Sequence, residues 1–119
     1  GLRESIGISE DGNTIYGKSM QDSIVAFPAT AELPTASWKM KVGFGYEHVP
    51  SMLIEKEGTL FFGTRVGVVY AIDPKSQRTI WAHKLDNAMV NTVTVIDRRE
   101  MLVSTMDGRL VRLRYQGKF

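Results

Sequence analysis

Three stretches of this chain can be laid over one another, and that internal repeat constrains the fold more than any single motif. They are "TIYGKSMQDSIVAF" (Thr14 to Phe27), "TLFFGTRVGVVYAI" (Thr59 to Ile72) and "MLVSTMDGRLVRL" (Met101 to Leu113). Each has a β-branched or aromatic run, a short polar or glycine-containing break, and a second apolar run. Gly17, Gly63 and Ser104 hold the same place in their units, 46 and 41 residues apart. Trp38 and Trp81, 43 residues apart, follow the first two units at nearly the same distance. A period of roughly forty residues is what four short strands and their turns require.

A further strand precedes each aligned hairpin: "SIGIS", "SMLIEK" and "TVTVID". The turns after these strands carry Asp11-Gly12-Asn13, Glu57-Gly58 and Arg98-Arg99-Glu100. A fourth strand follows in the first two units, "SWKMKV" and "TIWAHKL", whereas the third runs into "YQGKF" without one. The reading is about eleven strands and no helix, because no segment keeps apolar residues at i, i+3, i+4 and i+7 over three turns. Pro28 and Pro34 fall in the loop between the third and fourth strands of the first unit, where no ladder bond is lost.

Runs such as "LFFG" and "GVVYAI" are apolar on successive residues, so both faces of those strands must be covered. A single β-sandwich leaves its outer faces polar and does not explain the tryptophan spacing. Sheets stacked face to face in a radial array do, and that array is a β-propeller. The expected fold is all-β, with four-stranded antiparallel blades at about residues 4–43, 48–86 and 89–119, the last lacking its fourth strand. Three blades are too few to close a ring. The chain is therefore expected to be the last three blades of a larger polypeptide, with a second copy closing the ring as the alternative.

At Ala71-x-Asp73-x-x-Ser76-Gln77-x-x-x-Trp81, preceded by Gly63-Thr64, the chain resembles the blade motif of quinoprotein-type (PQQ-like) β-propellers. That motif reads Ala-x-Asp-x-x-Thr-Gly-x-x-x-Trp. The first blade keeps Ala26 and Trp38 twelve residues apart instead of ten, and has Pro28 in place of the Asp. The third has Arg112 in the Ala position and no Trp. WD-type propellers, which carry a Gly-His pair and a Trp-Asp end, fit less well: here Glu47 precedes His48 and Ala82 follows Trp81. Asp73 is placed to accept backbone N–H bonds in the turn ahead. Ala71 leaves room for a neighbouring sheet, and Trp81 supplies apolar surface with an indole N–H that needs a partner. Gln77, standing where the motif has glycine, implies a modified turn or strain.

No catalytic constellation is visible. His48 and His83 are 35 residues apart with no ligand at metal spacing. "GFG" at Gly43 to Gly45 has no helix after it to hold a phosphate. A quinone enzyme needs a calcium site and a channel Asp, and Asp73 is assigned to a turn, so no cofactor residue is carried over. No run approaches the ~20 apolar residues that span a bilayer, and no signal peptide is visible. Of a net charge of +2, only Arg109, Arg112 and Arg114 cluster, which is a solvated face and not a nucleic-acid footprint.

The strongest candidate surface is the set of loops around the channel mouth, chiefly "GFGYEHVP" (Gly43 to Pro50) and "DNAMVN" (Asp86 to Asn91). His48 and Asn91 each lie ten residues after their blade Trp, at equivalent rim positions. Tyr46, Glu47, His48, Arg65, Asn87 and Asn91 are the candidate binding residues, on loops carried by a rigid scaffold. The alternative is that they are ordinary solvated loop residues. The resemblance implies a non-catalytic propeller scaffold with a protein partner, similar to exported lipoproteins that assist outer-membrane protein assembly, in the periplasm or at the cell surface. The competing expectation is the C-terminal propeller of a larger enzyme, a quinoprotein dehydrogenase or a metallophosphatase fusion.

Overall fold

A computed structural model describes residues 2–19, 23–29, 36–42, 53–64, 66–85 and 89–118. Eleven strands make up its regular structure: β1 Leu2–Ile8, β2 Thr14–Ser19, β3 Ser23–Pro28, β4 Trp38–Lys41, β5 Ile54–Lys56, β6 Thr59–Gly63, β7 Val68–Asp73, β8 Arg78–Lys84, β9 Val90–Asp97, β10 Glu100–Thr105 and β11 Leu110–Arg114. They form three antiparallel meanders, β1-β2-β3-β4, β5-β6-β7-β8 and β9-β10-β11. No helix occurs among the described residues.

Turn chemistry sets the hairpins. Glu57 and Gly58 both adopt positive φ, 51° and 77°, the pattern of the tight turn whose twist matches its flanking strands. Asp11 Oδ1 accepts the Ser9 hydroxyl (2.6 Å) and the Asn13 N–H (2.9 Å), which closes the turn between β1 and β2. Those bonds, the Ser9 hydroxyl first, hold the Asp11 carboxyl below its ordinary range. Pro28 corrects the loop assignment. It is the last residue of β3, opposite Thr14, and Ala29 then donates to Asn13 O at 2.9 Å. A proline at a strand terminus costs the ladder little. Glu100 likewise opens β10 and does not belong to the turn before it.

Face-to-face stacking of the three sheets accounts for the non-alternating apolar runs. Successive side chains of a strand point to opposite faces. Leu60 and Phe62 of β6, with Ile72 of β7, pack against Tyr16, Ile24, Ala26 and Met40 of the first sheet. Phe61, Val69 and Ala71 pack on the other side against Val90, Val93, Met101 and Val103 of the third. Leu60, Phe61 and Phe62 are all fully buried. At roughly 2 kcal/mol for each fully buried large apolar side chain, this one strand anchors both cores.

Candidate functional site

The two ends of the blades are built differently. At one end lie the turns between first and second and between third and fourth strands. There, a carboxylate from one sheet holds backbone of the next: Glu10 Oε1 accepts Gly58 N–H (3.2 Å) and Glu57 Oε2 accepts Arg98 N–H (3.0 Å). A cleft of about 430 Å³ opens at this end between the first two sheets, beside Tyr16, Trp38 and Glu55. Its carboxylates are engaged in structure. Glu55 accepts the Tyr16 hydroxyl (2.7 Å) on Oε1 and the Glu10 N–H (2.9 Å) on Oε2. Burial first, and then Glu55, push the Tyr16 phenol well above its ordinary range.

The opposite end carries the turns between second and third strands. Two of them share one geometry. Thr64 and Thr105 donate their N–H to the carbonyls of Val68 (2.9 Å) and Arg109 (3.0 Å). Their own carbonyls accept from Gly67 (3.2 Å) and Gly108 (3.1 Å). Their hydroxyls accept Val68 N–H (3.2 Å) and Arg109 N–H (3.3 Å). Gly67 and Gly108 take φ of 84° and 89°, which a side chain resists. In the third sheet Asp107 joins the turn, accepting from the Thr105 hydroxyl and from Arg109 Nε at 3.1 Å. The Thr105 hydroxyl, then Arg109, hold its carboxyl below the ordinary range. The turns are tied to the strand entering the third sheet: Val90 N–H donates to Thr64 O (3.0 Å) and Met106 N–H to Met89 O (2.9 Å).

Of the candidate rim residues, Tyr46, Glu47, His48, Arg65 and Asn87 lie outside the described residues. Asn91 is described, and it is not a loop residue. It is the second residue of β9, exposed, one position after the Val90 contact to Thr64. Sequence reasoning missed the Thr-x-x-Gly spacing shared by Thr64–Gly67 and Thr105–Gly108, which marks these turns. It also missed the exposed apolar side chains around them: Val66, Met106 and Leu110 are 39 %, 58 % and 72 % exposed.

The blade-motif residues fall in two sheets. Trp38 pairs with Ala26 and Trp81 with Ala71. Asp73 Oδ1 accepts Lys75 N–H (3.0 Å) and its Oδ2 accepts the Ser76 hydroxyl (2.9 Å). Gln77 takes φ 57°, so the turn is kept and the glutamine carries the strain. The Trp81 ring stacks on Tyr115 at 5.7 Å, and its indole N–H is buried with no acceptor among the described residues. His83, on the same face of β8, is exposed. Among the described residues, no three His, Cys, Asp or Glu side chains are grouped to hold a metal ion.

No family model matches the chain, and no curated protein matches it. Among solved structures it is similar to BamB from Moraxella catarrhalis, with a TM-score of 0.71 at 19 % identity, covering 92 % of this chain and 32 % of that one. It is also similar to a chain of a mitotic checkpoint complex, with a TM-score of 0.76 at 14 % identity, covering 95 % of this chain and 34 % of that one. The chain thus spans about a third of the length of these solved proteins. The three stacked sheets are β-propeller blades.

Proposed function

We propose that these blades belong to a non-catalytic, quinoprotein-like propeller that binds a protein partner in the bacterial envelope, with the Thr64 and Thr105 turns as part of the binding face. One observation carries the reading. Val66, Met106 and Leu110 expose apolar surface on and beside the Thr64 and Thr105 turns, next to the Asp107–Arg109 ion pair. Where such side chains form one contiguous patch rimmed by polar groups, the patch marks a protein-binding surface. The repeated Ala–Trp cross-strand pairs favour the quinoprotein-like assignment. The envelope location is supported by the likeness to a bacterial BamB, and a partner-binding role by a similar chain that sits within a mitotic checkpoint complex.

The test places a photo-crosslinking residue at Met106 or Val66 and exposes the protein to candidate envelope partners. An adduct is expected from both positions, and it should disappear when the other position is changed to aspartate while circular dichroism stays native. Adducts that survive those changes, or none at all, would reject the reading.

A further inference from the structure

The two junctions between sheets repeat one arrangement and depart from it at one place. Trp38 and Trp81 each stand opposite an alanine, Ala26 and Ala71, on the neighbouring strand. Each also tilts against a ring from the second strand of its own sheet. Tyr16 and Trp38 have ring centroids 6.1 Å apart at 49°, and Phe61 and Trp81 have theirs 6.2 Å apart at 51°. The two indoles are therefore set alike. At the second junction the turn after β11 adds a further ring, Tyr115, stacked on Trp81 with centroids 5.7 Å and planes 24° apart.

The register shows what stands in that place at the first junction. Leu102 pairs with Arg112 as Phe61 pairs with Ala71, so Tyr115, three residues after Arg112, corresponds to Pro74, three after Ala71. The Pro74 turn carries no aromatic ring, and among the described residues no ring of the second sheet stacks on Trp38. Between them lies the cleft of about 430 Å³, with Tyr16 and Trp38 on one side and Pro74, Lys75 and Gln77 on the other. Both walls are four-stranded sheets, packed on each other through Ile24, Met40, Leu60 and Ile72.

Charge narrows the occupant. Asp11 and Glu55 line the cleft, and Glu10 accepts the N–H of the lining Gly58; Lys75 is the cation among the described lining residues. The Asp11 and Glu55 oxygens are engaged by Ser9, Tyr16 and backbone N–H groups, so they set the field at the mouth without having to turn toward a ligand. We infer that this cleft receives an aromatic side chain from a basic segment of a partner protein, stacked on Trp38 as Tyr115 is stacked on Trp81. Offset ring pairs gain more than the area they bury, and an anchor ring in a pocket ringed by complementary charge gives both affinity and selectivity. The contact lies at the end of the blades opposite the Thr64 and Thr105 turns and goes beyond the turn-face reading.

The test titrates the 119-residue chain with acetyl-Gly-Lys-Tyr-Lys-Gly-amide and follows the two indole N–H signals by NMR. The Trp38 signal is expected to shift to saturation while that of Trp81, already covered, stays. Alanine for the tyrosine of the peptide should weaken binding about tenfold, and glutamate for both lysines about threefold. Pro74→Tyr gives the first junction the ring of the second and should abolish the Trp38 shift while circular dichroism stays native. If that variant does not fold, Trp38→Phe, a smaller platform, must weaken binding as read from the signals of the peptide itself. No shift at Trp38, equal affinity for the tyrosine and alanine peptides, or binding untouched by either substitution would overturn the inference. So would N-acetyltyrosinamide binding as tightly as the peptide, which would make the cleft a small-molecule site. Failed peptide binding alongside intact cross-links at Val66 and Met106 rejects this inference alone; lost cross-links with intact peptide binding reject only the turn-face reading.

Discussion

Gly63 and Val90 meet so closely that a Cβ on the glycine would stand 2.2 Å from Val90 Cγ1 and 2.6 Å from Val90 Cβ. The contact lies where β9 enters beside the end of β6, next to the bond from Val90 N–H to Thr64 O. Gly63→Ala is expected to cost about 1–3 kcal/mol by overpacking. Combined with Val90→Ala, the loss should be smaller than the sum of the two single changes. Urea denaturation of the four-member cycle measures both.

Gln77→Gly should stabilise the protein by about 0.5–1 kcal/mol, because glycine adopts the left-handed backbone that glutamine resists. Gln77→Val should destabilise it, since a β-branched residue resists that conformation more strongly. Shifts of the thermal midpoint in opposite directions are the expected readout.

Asp73→Ala removes the acceptor for both Lys75 N–H and the Ser76 hydroxyl, and should cost about 1 kcal/mol. The matching backbone change is faster amide exchange at Lys75. An unchanged exchange rate there would mean that the turn holds without its aspartate.

Tyr16 gives a pH dependence of definite sign. Its folded phenol is held protonated above the unfolded value of 10.0, chiefly by burial and next by Glu55. The stability it contributes is therefore complete below pH 10 and falls as pH rises beyond, because the unfolded chain releases its proton first. Denaturation midpoints of the wild type should decline more steeply above pH 10 than those of Tyr16→Phe.

The eleven strands were legible because period and turn chemistry are local properties, written in runs such as Leu60-Phe61-Phe62 and turns such as Glu57-Gly58. The strain at Gln77 could be foreseen as one of two outcomes, since a single departure from a repeated motif leaves only the turn or the residue to yield. The clasps of Glu10 on Gly58 and Glu57 on Arg98 could not be foreseen. A carboxylate reaching a backbone N–H more than forty residues away leaves no spacing to recognise. Asn91 was misplaced for a related reason. Its distance from a tryptophan counts it into the loop, whereas β9 already begins at Val90, which pairs with Thr105 of β10.

Leu60 and Phe62 look one way from β6 and Phe61 looks the other, all three dry. The middle sheet is thus a party wall, and neither outer sheet can be peeled away without wetting one of its sides. A substitution in β6 will be felt on both sides at once, whereas one in β3 or β10 reaches the far side only through that wall.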